Sequence, residues 1–260
     1  MEQSEATFAG TGGLQLAYRR WTPAAEPRAA LAILHGVLEH GGRYQTLVDH
    51  LVPEGFTLYA VDHRGHGRSP GPRAHVEECE GHVPRFLYGH SMGALIALDY
   101  LLDHSDAVQG AIVSGVPLEA GNIGSPLLIA LARFLSRLAP RLPLPLGIDT
   151  AALSRDPAAI RAWEQDPLFQ THATARWGVE AMNAAARVNA NLGKLRTPLL
   201  ILHGEADTLS LVAGARRLFA QVPIEDKTLR IYPGGYHEPH NDLQREEVMA
   251  DVLAWLEEHL

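Results

Sequence analysis

Short apolar runs rich in Val, Ile, Leu and Tyr recur along the chain, and each ends at a turn that contains Gly or His. Continuous apolar runs, unlike alternating ones, are typical of strands that are buried on both faces. Helical periodicity follows most of these runs, and this alternation favours a doubly wound, mostly parallel sheet. Strands are predicted at 30–36, 56–65, 85–91, 110–117, 198–207 and 228–235, and helices at 44–51, 92–102, 212–219 and 248–256.

Two segments depart from this alternation. Residues 8–21 predict a hairpin with Gly12 and Gly13 at its turn, and we expect it to form an antiparallel edge. Residues 118–191 contain no convincing strand, but they contain helical stretches and a proline-rich connector. We therefore predict an α/β core formed by residues 1–117 and 192–260, with residues 118–191 inserted over the sheet as a helical cap.

The predicted cap contains an amphipathic stretch at 127–138. One face carries apolar side chains and another carries arginines; the apolar face holds Leu127, Leu128, Leu131, Phe134, Leu135 and Leu138, and the arginines are Arg133, Arg137 and Arg141. We favour packing on the core and lining of an acyl tunnel for the apolar face. Transient contact with a lipid surface is the second interpretation.

Composition narrows the class of protein. The chain has 260 residues, 46% of them hydrophobic and 20% charged, and a net charge of −8. The sequence has no block of basic residues of the kind that would predict a nucleic-acid partner. The N-terminal residues do not predict a signal peptide, and no apolar stretch is long enough to span a membrane. With Cys79 as the only cysteine, no intrachain disulfide can form, so we expect a cytoplasmic protein.

Histidine pairs raise the question of a metal site. His63 with His66 and His237 with His240 are the nearest pairs, but neither has the i, i+4 spacing of a helical zinc motif. Proline between the second pair also argues against a regular helix there. We therefore predict no metal and no cofactor.

The stretch GHSMG places Ser91 between Gly89 and Gly93, after a predicted strand and before a predicted helix. A tight strand-to-helix turn of this kind presents a serine hydroxyl above the strand ends, as in a nucleophile elbow. The alternative is a small residue in an ordinary turn. GHSMG alone is weak evidence for a nucleophilic serine. Its position between a predicted strand and a predicted helix strengthens that evidence.

A serine hydroxyl needs a base to accept its proton and an acid to orient that base. Asp207 and His237 follow Ser91 in the order typical of this strand–turn–helix setting, and each comes directly after a predicted strand. The carboxyl ends of parallel strands form the edge where such sites lie. Glu205 remains an alternative acid and His240 an alternative base, whereas we interpret His90 and His203 as packed histidines.

An oxyanion hole is predicted after the first core strand, where His35-Gly36 ends the run. The amide of Val37 can there face the amide of Met92, which lies at a helix N-terminus. Two backbone donors aimed at a developing oxyanion typically lower the barrier by a few kcal/mol each.

With these residues in place, the chain resembles the monoacylglycerol lipase and lysophospholipase-like group of the α/β-hydrolase family over nearly its whole length. The matching stretches are HG-x-x-EH-x-GRY at 35–44, D-x-RGHG-x-S at 62–69, GHSMG at 89–93, GEAD at 204–207 and YHEPHND at 236–242. The resemblance implies an α/β-hydrolase fold, the triad Ser91, Asp207 and His237, and the oxyanion amides of Val37 and Met92. It further implies that Glu39, Arg43 and His240 lie near a glycerol pocket. A structural ion pair between Glu39 and Arg43 is an equal alternative.

Two departures from the family pattern stand out. Leu38 occupies a position beside the oxyanion loop where many relatives have glycine. Between Ser69 and Phe86, the chain lacks the long amphipathic helix that relatives place before the nucleophile strand. We therefore expect one crossover helix to be missing, which would expose apolar sheet surface and favour a homo-oligomer.

These inferences together predict a serine ester hydrolase that cleaves monoacylglycerols, or similar small lipid esters, through an acyl-enzyme. The nearest alternatives are a general carboxylesterase and a lysophospholipase. A catalytically impaired lipid-binding protein on the same fold is an alternative of a different class, which the missing helix would favour.

Overall fold

The computed structural model describes residues 1–10, 13–71, 86–119, 121 and 126–260. The strands are β1 Glu2–Ala9, β2 Gln15–Thr22, β3 Ala29–Leu34, β4 Phe56–Val61, β5 Phe86–His90, β6 Gly110–Ser114, β7 Pro143–Pro145, β8 His172–Thr174, β9 Leu199–Gly204 and β10 Lys227–Tyr232. The α-helices are α1 Gln45–Leu51, α2 Met92–Leu101, α3 Pro126–Leu138, α4 Pro157–Glu164, α5 Ala175–Asn191, α6 Val212–Gln221 and α7 Arg245–Glu258. Short 3-10 helices lie at Gly41–Arg43, Thr150–Ala152, Leu192–Lys194 and Pro239–Asn241.

Eight strands form one sheet in the order β1-β2-β4-β3-β5-β6-β9-β10. β1 pairs with β2, and β2 with β4, in antiparallel fashion, while the remaining pairs are parallel. The predicted hairpin pairing and its edge position are therefore confirmed, while Gly12 of the predicted turn lies outside the described residues. The mostly parallel α/β-hydrolase sheet is also confirmed, and every strand predicted for the core is present.

Both faces of the central strands are buried, which explains their continuous apolar runs. In β5, Phe86 and Tyr88 belong to the apolar cluster on one face, and Leu87 belongs to the cluster on the other. In β6, Ile112 faces the first cluster and Ala111 the second. Helices α1 and α7 contribute to the first cluster, whereas α2, α5 and α6 contribute to the second. This layering holds the carboxyl ends of β5, β9 and β10 along one edge.

Residues 118–191 contain two strands that the sequence did not predict. β7 and β8 are three residues long and pair with each other in antiparallel fashion. The prediction of no strand in this segment is therefore wrong. A three-residue strand with proline at both ends has no periodicity to detect, and its pairing with His172–Thr174 depends on a contact distant in sequence.

Helix α3 exposes most of its apolar face. Leu131, Phe134 and Leu138 are exposed by 48%, 59% and 69%, so the prediction that they pack on the core is wrong. Ser136 is buried, Ile129, Ala132 and Leu135 are half-buried, and α3 packs against α5. Of the predicted apolar face, Leu135 is therefore partly covered, whereas the three large side chains named above remain outside. The side chains of Leu127 and Leu128 lie outside the described residues.

The prediction of a missing crossover helix falls on residues that lie outside the described part of the chain, 72–85, as does Cys79. Within the described part, no helix has the length and apolar character needed to cross a membrane.

Candidate active site

Ser91 lies at a sharp turn between β5 and α2. It has φ 50° and ψ −114°, a conformation that L side chains rarely adopt. The flanking glycines make this turn sterically feasible. A Cβ at Gly89 would lie 2.6 Å from the Gly93 carbonyl oxygen, and one at Gly93 would overlap the Leu34 carbonyl of β3. The turn therefore requires glycine at both positions and lifts Ser91 above the strand ends.

Ser91, His237 and Asp207 form a hydrogen-bonded chain, although they come from three separate loops. The Ser91 hydroxyl lies 3.0 Å from His237 Nε2 and can donate to it. His237 Nδ1–H donates to Asp207 Oδ2 at 2.8 Å. This is the geometry in which a histidine can take a proton from serine while a carboxylate orients the ring.

Backbone amides hold the Asp207 carboxylate in place. Its Oδ1 accepts hydrogen bonds from the amides of Leu209 and Ser210 at 2.9 and 3.0 Å. Burial raises the pKa of Asp207, but His237 and these hydrogen bonds more than offset this effect, so the pKa lies below its usual value. Burial lowers the pKa of His237, but the adjacent Asp207 carboxylate outweighs burial and the net pKa is raised. The pair therefore favours a carboxylate beside a histidine that readily accepts a proton.

The alternative acid and base lie elsewhere. Glu205 is exposed, and its carboxylate accepts from the Gly234 amide at 3.3 Å. His240 is fully buried and stacks on Tyr44, with ring centroids 5.1 Å apart. Within the described residues, neither ring nitrogen of His240 has a hydrogen-bond partner. Of the candidate acids and bases, the structure thus brings only Asp207 and His237 to Ser91.

The predicted oxyanion loop lies beside Ser91. Gly36 and Val37 line the same cavity as Ser91 and His237. Met92 is the first residue of α2, so its amide has no partner inside the helix. The Gly36 amide donates to Glu39 Oε1 at 2.5 Å, which ties the loop to a buried carboxylate.

Glu39 and Arg43 form a buried ion pair, as the structural alternative predicts. Arg43 Nε lies 3.3 Å from Glu39 Oε2, and Arg43 Nη2 lies 3.4 Å from Glu238 Oε2. The guanidinium also stacks on the Trp163 ring at 3.8 Å. Burial, followed by the charge of Glu238, raises the pKa of Glu39 to about 7 despite Arg43. Glu39 lines the cavity, whereas Arg43 lies behind it, between the two carboxylates.

Sequence reasoning missed Glu238 and Trp163, which both line the cavity. Trp163 Nε1 donates to Glu238 Oε2 at 3.1 Å. Glu238 directly follows His237 in the sequence, and this position could have marked it as a candidate cavity residue. Trp163 lies in the predicted cap, where no motif marks it.

The cavity above Ser91 has a volume of about 220 Å³. Its polar groups are the triad residues Ser91 and His237, together with His90, Ser210 and the carboxylates of Glu39 and Glu238. The rest of the wall is mostly apolar and comes largely from residues 118–191, with Leu146, Ile148, Leu153, Trp163, Phe169 and Trp177. Such a cavity suits a ligand with one polar end and one apolar end. Among the described residues, no group of three or more His, Cys, Asp or Glu side chains could hold a metal ion.

The chain is similar to known proteins over nearly its whole length. The chain is 36% identical over 283 aligned positions to a monoacylglycerol lipase of Mycolicibacterium smegmatis, with 99% of this chain and 98% of that protein covered. It is 32% identical to the monoglyceride lipase of Homo sapiens, with 94% of this chain and 87% of that protein covered. The crystal structure of a Paleococcus ferrophilus monoacylglycerol lipase superposes with a TM-score of 0.84 at 31% identity and covers all of both chains.

The family model described as serine aminopeptidase, S33 matches residues 25–83 and 77–244, which is most of the chain. The similarity to the lipases extends over the core strands and the segment between β6 and β9. The chain therefore belongs to the serine aminopeptidase S33 family of α/β-hydrolases, in the group that includes monoacylglycerol lipases.

Proposed function

We propose that this chain is a serine hydrolase that cleaves monoacylglycerols to fatty acid and glycerol. The observation that carries the proposal is the hydrogen-bonded set Ser91, His237 and Asp207 at the base of a cavity with one polar side and one apolar wall. The similarity to monoacylglycerol lipases over nearly the whole chain supports this choice of substrate.

In the proposed reaction, His237 Nε2 takes the proton of Ser91 as Oγ attacks the ester carbonyl carbon. The carbonyl oxygen becomes an oxyanion, which accepts hydrogen bonds from the amides of Val37 and Met92. Collapse breaks the ester bond, and His237 returns the proton to the leaving glycerol oxygen. Water, deprotonated by His237, then attacks the acyl carbon. The bond from this carbon to Ser91 Oγ breaks, His237 returns the proton to Oγ, and the fatty acid is released. Neither a metal nor a cofactor is needed for these steps.

We propose that Glu39 and Glu238 face the glycerol end of the substrate, since both carboxylates line the cavity and can accept hydrogen bonds from hydroxyl groups. Arg43 would hold both carboxylates in position without touching the substrate. His240 would act still further back, by packing against Tyr44 and His90. Residues 118–191 would form a cap, because they supply most of the apolar wall.

The exposed apolar face of α3 supports a second, lesser proposal, that the cap makes transient contact with a lipid surface. Leu131, Phe134 and Leu138 are exposed beside Arg133 and Arg137. Such a face suits the boundary between acyl chains and anionic headgroups. The alternative is that a second copy of the chain packs against this face. A cytoplasmic location, favoured by the single cysteine, likewise remains a proposal.

The test is hydrolysis of a 1-monoacylglycerol and of p-nitrophenyl butyrate by the wild type and by Ser91→Ala. We expect the wild type to cleave the monoacylglycerol and Ser91→Ala to lose about 10⁴-fold or more in kcat, since loss of a triad serine removes the nucleophile. Retention of most activity by Ser91→Ala would refute the mechanism.

Substrate preference separates the related hydrolases. Faster turnover of p-nitrophenyl butyrate than of monoacylglycerol would favour a general carboxylesterase, and cleavage of lysophosphatidylcholine would favour a lysophospholipase. Release of p-nitroaniline from an aminoacyl anilide would instead favour the peptidase activity after which the family is named. A folded wild type that a fluorophosphonate does not label at Ser91 would favour a non-catalytic lipid-binding protein.

A further inference from the structure

Leu38 has an unusual backbone conformation for a leucine. Its φ is 68°, and among the described residues the only other non-glycine residue with positive φ is Ser91. A branched apolar side chain is disfavoured in this left-handed region, so the surrounding structure must hold it there. Leu38 lies between Val37, which lines the cavity, and Glu39, which holds the Gly36 amide.

The side chain of Leu38 is held by residues of the proposed cap. It is 1% exposed and is not part of the cavity wall. Together with Val37, it forms a separate apolar cluster whose other members all come from residues 144–177: Leu146, Ile148, Phe169, Ala173 and Trp177. Leu38 therefore contacts the cap segment rather than the core of the sheet.

Polar contacts join the same two segments. The Leu38 carbonyl accepts from the Gln170 amide at 3.0 Å. His40 Nε2 lies 2.8 Å from Asp166 Oδ2. The oxyanion loop is thus tied to residues 166–177 on both sides of Glu39.

The second predicted oxyanion residue is tied to the same segment. Trp177 Nε1–H points to the Met92 sulfur at 3.1 Å. Trp177 also belongs to the cluster around Leu38. Residues 166–177 therefore contact both halves of the predicted oxyanion hole, through Leu38 on one side and through Met92 on the other.

We infer that Leu38 is a positioning residue, which couples the cap segment 166–177 to the oxyanion hole. The inference rests on the proposed function. Cap packing holds Leu38 in its left-handed conformation, and this conformation fixes the turn that follows Val37 and therefore the position of the loop that carries the Val37 amide. Without these packing partners, Leu38 leaves this conformation and the amide loses its alignment.

The test compares Leu38→Ala, Leu38→Gly and Leu38→Met with the wild type, using p-nitrophenyl butyrate turnover and the rate of fluorophosphonate labelling at Ser91. We expect Leu38→Ala and Leu38→Gly to lower kcat and the labelling rate by about tenfold or more, with KM within about twofold, because only transition-state alignment is lost. Leu38→Met keeps the volume and should stay within about threefold of the wild type. Glycine adopts positive φ without strain, so Leu38→Gly remains informative if Leu38→Ala fails to fold.

Leu218→Ala is the matched control, because Leu218 is a fully buried leucine of α6 in the cluster on the sheet. It should lower the melting temperature without lowering kcat. The inference is overturned if folded Leu38→Ala and Leu38→Gly keep wild-type kcat, or if Leu218→Ala loses as much kcat as they do.

The outcomes also separate this inference from the proposed function. If the wild type is labelled at Ser91 but spares monoacylglycerols, only the proposed substrate is wrong, and the labelling rates still decide the role of Leu38. If the wild type is folded but is neither labelled nor active on either ester, the serine hydrolase function and the role of Leu38 are both wrong.

Discussion

At the scale of single residues, Asp207 and His237 shift each other's pKa. The buried Asp207 carboxylate outweighs desolvation and raises the pKa of His237. Because the base must be neutral to accept the proton of Ser91, activity is lost as pH falls through the raised pKa of His237. We therefore expect the acidic limb of the kcat/KM profile to have its midpoint above the ordinary histidine value of about 6.5.

Asp207→Asn tests this dependence. Removal of the charge should lower kcat by about 10⁴-fold, since the amide no longer stabilises the imidazolium and favours the wrong tautomer. It should also move the acidic limb of the residual activity to lower pH. A pH–rate profile measured with p-nitrophenyl butyrate decides this, and an unchanged midpoint in Asp207→Asn would contradict the proposed origin of the shift.

At the scale of elements, helix α3 packs against α5 and exposes large apolar side chains. Leu131→Gln with Phe134→Gln should reduce binding to anionic phospholipid vesicles by about tenfold or more, because burial of one such side chain is worth about 1.5–3 kcal/mol. Neither residue lines the cavity, so kcat on p-nitrophenyl butyrate should not change. Vesicle sedimentation measures the binding.

Leu243→Gln is the matched control, since Leu243 is 60% exposed and lies outside the proposed cap. Equal binding by the double variant and the wild type would refute lipid contact through α3. If light scattering instead shows a wild-type dimer that the double variant loses, the exposed face joins two copies of the chain.

At the scale of the whole molecule, buried histidines make the fold sensitive to acid. Burial lowers the pKa of His35, His63, His90, His203 and His240, and the pKa of His63 and His240 falls to about 3. At these five histidines, the unfolded chain binds more protons than the folded one as pH falls below about 6.5, and at His63 and His240 it does so down to about pH 3. The free energy of unfolding therefore decreases as pH falls through this window.

His240→Phe should reduce this acid sensitivity. The phenyl ring can keep the stack on Tyr44 and binds no proton, so the slope of unfolding free energy against pH should fall by up to about 1.4 kcal/mol per pH unit. Urea unfolding between pH 4 and 7 measures the slope. His172→Phe is the control at an exposed position, and an equal change in both variants would refute the assignment to burial.

Features that depend on local sterics and on the burial of strands can be predicted from the amino-acid sequence. Continuous apolar runs predicted the central strands, because both faces of such strands are covered. Gly89 and Gly93 marked the elbow, because no Cβ fits there. The chain order of Ser91, Asp207 and His237 predicted their meeting, because parallel strands end at one edge of the sheet.

Alternatives that share a local pattern are distinguished only by how distant segments of the chain come together. Glu205 and Asp207 follow the same strand, but the loop folds back so that Asp207 bonds to His237 while Glu205 accepts from the Gly234 amide. Glu238 and Trp163 join Arg43 through contacts between segments far apart in sequence. The apolar residues of α3 were expected inside, but the side of α3 that packs against the protein leaves three of them exposed. The left-handed Leu38 packs against side chains from residues 146–177, and this contact between distant segments cannot be read from the local sequence.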